Sequence, residues 1–156
     1  MCESMSSIFE GRNASGVAKE FSERVWLSWT NRGHQPDQLP STEALSKAVD
    51  FSIEADVECT LINCSHADMA SNSIKELKRA SRFGIFANSS TFKEVDLSIA
   101  TKDVDAIHHL NSEKISANEY AMIALSWVKE GAFVVGGCCG TTVEHTRQIK
   151  LLMDRL

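Results

Sequence analysis

The chain has no uninterrupted apolar run approaching the ~20 residues a membrane-spanning helix needs, so a transmembrane helix is not expected. It also lacks an excess of positive charge. Lysine and arginine number 16 against 21 aspartates and glutamates, for a formal net charge of −5. With no basic stripe, the chain would repel a phosphate backbone, and nucleic acid is not an expected partner. The N-terminus, MCESMSSIFEGRN, has no basic segment leading into an apolar one, so no secretory signal is read. No CxxC pair occurs among the five cysteines, and an odd count without an export signal argues against a disulfide framework. Reduced thiols in the cytoplasm are the expectation. Low-complexity tracts, strict repeats and linkers are missing too, so residues 1–156 read as one domain. What is present is globular: 43% hydrophobic and 24% charged residues over a length that can bury a real core.

Four apolar strand-like runs recur, Val25–Trp29, Cys59–Asn63, Phe83–Ala87 and Ala132–Val135, each followed by a polar turn and a helical pattern. Helices are expected over Ser7–Phe21, where Asn13 and Gly16 interrupt the pattern, and over Thr42–Ile53, with Ser41 or Thr42 as N-cap. Three more are expected at Asp68–Arg82, at Ala117–Lys129 with Ala121, Ala124, Leu125 and Val128 inward, and at Thr142–Leu156. Alternating strands and helices imply a parallel α/β sheet. Two stretches break the alternation: the polar loop His34–Pro40, which holds both prolines, and the charged insertion Thr91–Asn111, where DVDAIHHL reads as a short strand or turn.

In such sheets functional groups gather beyond the carboxyl ends of the strands. That position is occupied by Thr30, Cys64, Asn88 and the adjacent pair Cys138–Cys139. Three soft thiolates converging on one rim would suit zinc, and three protein ligands leave a coordination position open, as in catalytic sites. Gly136 and Gly137 offer a bend that could turn both following sulfurs toward one ion. From pattern alone, buried free cysteines acting as small hydrophobes fit equally well. His66, two residues past Cys64, reads either as a fourth ligand or as a solvated loop histidine. His108 and His109 read as surface residues, His145 as structural, and Cys59 as core packing against a helix. A thiol redox role for the vicinal pair is disfavoured, because adjacent cysteines close a strained ring.

The segment ALSWVKEGAFVVGGCCGTTVEHTRQI closely resembles the last strand-and-helix unit of the homocysteine S-methyltransferase family. LINC resembles that family's first zinc-cysteine motif, RVWLSWT its fifth strand, GIFANSS the end of its seventh, and CESMSSIFEGRNA the end of its fourth. The resemblance implies a (β/α)8 TIM-barrel fold of which this chain holds about the C-terminal half. It implies a zinc ion held by Cys64, Cys138 and Cys139, and contact between Glu3 and the amino group of homocysteine. The implied reaction is methyl transfer to the homocysteine thiolate, giving methionine, with S-methylmethionine, S-adenosylmethionine or betaine as donor. Zinc would deprotonate the thiol, whose ordinary pKa is near ~8.5. Two departures stand out. Val143 replaces the proline usual after GGCCGTT, and the first three units, with an aspartate-glycine segment that helps hold homocysteine, have no counterpart. The chain is therefore expected to act as the C-terminal part of a full or split enzyme, or to self-associate and rebuild a barrel-like core. The alternative is a non-catalytic zinc-binding or interaction remnant.

Overall fold

A computed structural model describes residues 1–33, 35–92 and 112–155. Five strands form one parallel sheet: β1 (Cys2–Met5), β2 (Trp26–Trp29), β3 (Cys59–His66), β4 (Phe83–Asn88) and, last in the chain, β7 (Val134–Gly137). Their spatial order is their chain order, β1-β2-β3-β4-β7. A doubly wound sheet would reverse direction at a switch point; steady addition at one edge is the winding of a (β/α)8 barrel. The chain thus supplies a five-strand arc of that fold. The DVDAIHHL segment, His108 and His109, and His34 of the polar loop lie outside the described residues.

Helices alternate with the strands as the periodicity predicts, with differences that have local causes. The first, α1 (Ile8–Phe21), absorbs Asn13 and Gly16 and is capped by Ser7, whose side chain accepts from the Glu10 N–H. The second, α2 (Leu45–Glu54), starts at Ala44 without a side-chain cap. Thr42, one of the two expected caps, sits instead at φ 73, and Ser41 hydrogen-bonds Glu43. The expected Asp68–Arg82 helix is broken into α3 (Ala67–Asn72) and α4 (Ile74–Leu77). Ser73 sits at the break, its hydroxyl shared between the carbonyls of Met69, four residues back, and Pro36 of the preceding loop. A short antiparallel pair, β5 (Ser90–Phe92) with β6 (Ser112–Lys114), was not legible in the sequence. It brackets the charged insertion. The next helix, α5 (Ala117–Lys129), begins on a reciprocal capping box between Ser116 and Glu119. Its buried face is rotated from the expected one: Tyr120 and Trp127 are fully buried beside Ala121 and Ala124. The last, α6 (Val143–Met153), is capped by Thr142 with His145, which confirms a structural role for that histidine.

The helix-covered side of the sheet holds the main core, including Leu27, Trp29, Ile62, Ile85 and Ala87. The indole N–H of Trp29 is satisfied by Ser52 of α2 and that of Trp127 by Ser71 of α3, so neither large ring strands a buried donor. The concave side is built differently. Trp26 of β2 and Phe133, just before β7, meet edge to face at 6.3 Å although β3 and β4 lie between their strands. Three strand spacings on a flat sheet would be about 14 Å, so the sheet is curled and the two rings bridge its N-terminal end. The Arg82 guanidinium covers Phe133 at 4.8 Å, and Glu58 accepts hydrogen bonds from Arg24, Trp26 and Arg82. Cys59 is fully buried there. It packs on the concave side rather than against a helix, since its neighbours in alternation, Thr60 and Ile62, take the helix side.

Candidate metal centre

Strict alternation along β3 would carry Cys64 to the helix side with Thr60 and Ile62. Two features prevent this. The pairing register with β4 shifts between Asn63 and His66, and Cys64 adopts a left-handed backbone with φ 50. A non-glycine residue held there is strained, and the surroundings must enforce it. Asn63 does so. Its carboxamide oxygen accepts from the Ser4 N–H (3.1 Å) and the Ser28 hydroxyl (2.7 Å), while its Nδ2 donates to the Ser4 hydroxyl (2.9 Å). One buried side chain thereby ties β3 to β1 and β2 immediately before the turned cysteine. Thr30 adds a long hydrogen bond to the Cys64 carbonyl at 3.4 Å.

Cys138 and Cys139 follow β7 directly. Gly136 and Gly137 are still part of that strand, so the expected bend is not theirs. They serve close packing instead: a Cβ on Gly137 would come within 2.5 Å of the Thr141 side chain. The left-handed turn falls at Gly140, φ 77, where a Cβ would meet Ser89 Oγ at 2.7 Å. The turn is fixed by β4. Cys138 N–H donates to the Ala87 carbonyl (2.8 Å), Cys139 N–H to Asn88 Oδ1 (3.1 Å), and Ser89 N–H to the Cys139 carbonyl (3.0 Å). Below it, the Tyr120 hydroxyl is shared at 2.8 Å between the carbonyls of Ala87 and Gly136, pinning β4 to β7. Thr141 closes the turn onto the Cys138 carbonyl at 2.7 Å.

These constraints bring together the sulfurs of Cys64, Cys138 and Cys139 within 4.8 Å of one another, the one group of its kind among the described residues. Cys64 Sγ lies 2.6 Å from Cys138 Sγ and 4.0 Å from Cys139 Sγ. Burial, the hydrogen bond the protonated Cys138 shares with Cys64, and the neighbouring thiols push the Cys138 thiol up to about 12. Three thiolates cannot share this rim without a cation, and a soft divalent ion is what such a donor set accepts.

The other sequence candidates fall around this centre. His66 is not part of the thiol group; its Nδ1 lies 2.9 Å from the Ser90 hydroxyl and so links the end of β3 to β5. Glu3 is exposed on β1, outside the cavity beside the thiols. That cavity, about 270 Å³, is lined by Cys64, Cys139, Asn31, Asn88, Ser90 and Lys114 among others. Sequence reasoning placed Thr30 and Asn88 at strand ends but missed Asn63, Ser4 and Ser28. The asparagine in LINC was the only available signal.

A family model described as homocysteine S-methyltransferase matches residues 1–153. Homocysteine S-methyltransferase YbgG of Bacillus subtilis (strain 168) is 24% identical over 151 residues, which is 95% of this chain and 44% of that protein. The homocysteine methyltransferase MmuM of Escherichia coli, in its apo form, matches with a TM-score of 0.66 at 19% identity, over 96% of this chain and 48% of MmuM. Its metallated form gives 0.65 at 18% identity, over 96% and 43%. The chain spans less than half the length of these relatives, and the structural likeness reaches almost every part of it. With the arc of strands, the rim thiols and the match across nearly its whole length taken together, the chain belongs to the homocysteine S-methyltransferase family.

Proposed function

We propose that residues 1–156 form one partial domain that carries the metal corner of a zinc-dependent homocysteine methyltransferase. The observation that supports this most is the convergence of the Cys64, Cys138 and Cys139 sulfurs at the carboxyl-end rim, from two strands that flank β4. A tetrahedral zinc with Zn–S bonds of ~2.3 Å needs sulfurs about 3.8 Å apart. The 4.0 Å spacing of Cys64 and Cys139 fits as it stands, and Cys64 and Cys138 need to part by about 1 Å, within reach of a small side-chain rotation. Zinc bound there supplies the Lewis acidity that holds a substrate thiol as its thiolate at neutral pH. The chain's own contribution is placement. Asn63 fixes the strained Cys64 backbone, and Asn88 and Ser89 fix the Cys139 turn. In this reading Glu3 meets the amino group of homocysteine, and a methyl donor such as S-methylmethionine, S-adenosylmethionine or betaine approaches from the open side. The reaction is cytoplasmic and belongs to methionine formation.

Strand arithmetic favours a complement over self-association. Five strands are present, and an eight-strand barrel requires about three more. A second copy would bring too many. The test is methionine formation from homocysteine by this chain mixed with a segment supplying the first three strand-and-helix units of the family. Turnover only in the mixture supports the split reading. No turnover in the mixture, with zinc bound, would leave the non-catalytic remnant as the better description.

A further inference from the structure

Helix α1 carries a ridge that no other described residue covers. Phe9, Asn13, Val17 and Phe21 follow one another at four-residue spacing, and the apolar members, Phe9, Val17 and Phe21, are 73%, 57% and 83% exposed. The contacts of α1 show which way this ridge faces. Gly11 and Ser15 are buried toward the sheet, Gly11 directly over the Trp29 ring of β2. The Arg12 guanidinium lies 5.1 Å from the centre of the Phe51 ring of α2, and Lys19 Nζ donates to the Ala55 carbonyl at the end of that helix. Arg12 and Lys19 are two turns apart and so mark the flank of α1 that meets α2. At ~100° per residue, Val17 and Phe21 lie about 140–180° around the helix from both. They therefore occupy the flank away from α2, over the edge of β1 that has no partner among the described residues.

We propose that this flank is the docking face for a strand-and-helix unit that adds to β1, with an apolar helix edged by lysine or arginine seated on the Phe9–Val17–Phe21 ridge, an assignment that rests on the split reading above. Parallel strands are joined by right-handed crossovers, so the helix belonging to an added strand lies on the face that α1 and α2 already occupy. It meets α1 on the flank away from α2, and a four-residue ridge is the surface through which packed helices interlock. Charge selects the partner. The charged side chains of α1 are Glu10, Arg12, Lys19 and Glu20. Both cations are turned to α2, which leaves Glu10 and Glu20, both exposed, beside the ridge. A second copy is a poor occupant. Antiparallel pairing of two ridges sets Glu10 against Glu20 twice, parallel pairing sets each against itself, and both arrangements repel. A basic-edged helix offsets the same carboxylates. The far end of the arc is a smaller target, because α6 exposes Val143 and Leu151 but no aromatic ring. Exposed aromatic anchors make the α1 flank the dominant of the two.

The experiment is sedimentation and calorimetric titration of the chain with the part of Bacillus subtilis YbgG that lies outside its match to this chain. The chain alone is expected to stay monomeric and to bind that segment. Phe21→Glu and Val17→Glu should each weaken binding by about tenfold or more, and Glu20→Lys by a few-fold. Their urea midpoints should not change, because all three side chains are exposed. Leu151→Glu should cost less than Phe21→Glu, and Met122→Glu, exposed on α5, should cost nothing. Unchanged binding by Phe21→Glu and Val17→Glu would overturn the proposal, as would an equal loss with Met122→Glu, since any added charge would then suffice. Tighter binding by Glu20→Lys would contradict the basic-edged partner. A dimer of the chain alone that Phe21→Glu dissolves would overturn it in favour of a second copy. If the unaltered chain does not bind the segment, the split reading itself fails, a result distinct from all of these.

Discussion

Asn63 is the residue on which the geometry of the thiol rim turns. A buried carboxamide with three partners on two other strands holds the left-handed Cys64 in place. Asn63→Ala strands the Ser4 and Ser28 groups and frees the backbone to relax. The expected results are a stability loss of about 1–3 kcal/mol and zinc affinity lower by at least about tenfold, as for other groups that orient metal ligands. Chelator competition and urea denaturation on the same sample separate the two effects. Cys59 makes a different prediction. Burial, with the nearby Glu58 charge, pushes its thiol up to about 12, whereas an unfolded cysteine titrates near ~8.5. Below pH ~8.5 both states are protonated and the contribution of Cys59 to stability is whole. Above it the unfolded chain loses its proton first, so stability falls with rising pH, by up to about 1.4 kcal/mol per unit, until pH approaches the folded value. Cys59→Ala should flatten that part of the curve in a pH series of denaturation midpoints.

At the scale of elements, the apolar runs made β2, β3, β4 and β7 legible, because a parallel strand buried on both faces must read as a continuous hydrophobic stretch, whereas the polar β1 was marked only by the family resemblance. The helices were legible where a single face is buried. Failures came where long-range contacts decide. Ser73 breaks a helix because its hydroxyl is held by a loop more than thirty residues upstream, and α5 rotates because Tyr120 and Trp127 find polar partners on other elements. The glycines before the vicinal cysteines looked like a bend and proved to be strand. Only the surrounding side chains reveal that they permit close approach, with the turn itself at Gly140. Tyr120 deserves a direct test, since its hydroxyl joins the carbonyls of β4 and β7 just below the rim. Tyr120→Phe should cost about 1–2 kcal/mol, read as a lower urea midpoint, with a smaller loss of zinc affinity than Asn63→Ala.

For the molecule as a whole, the motifs GGCC and NC pointed to the three thiols in advance. The positive φ that aims Cys64 was hidden, because nothing local dictates it. Among the described residues, the arc of strands leaves β1 and β7 as unpaired edges. The helices after those edge strands carry exposed apolar side chains: Phe9 and Phe21 on α1 are 73% and 83% exposed, and Val143 on α6 is 77% exposed. In the proposed reading, a complement that closes the barrel would cover such positions. The proposed metal corner draws all three of its thiols from within the arc, so the chain is expected to take up zinc before any complement arrives. Zinc content of the purified chain, measured together with thiol alkylation, tests this most directly. The account predicts about one zinc per chain, with Cys64, Cys138 and Cys139 protected until a chelator removes the metal. Zinc far below one equivalent after loading, or three thiols that react freely in its presence, would contradict it.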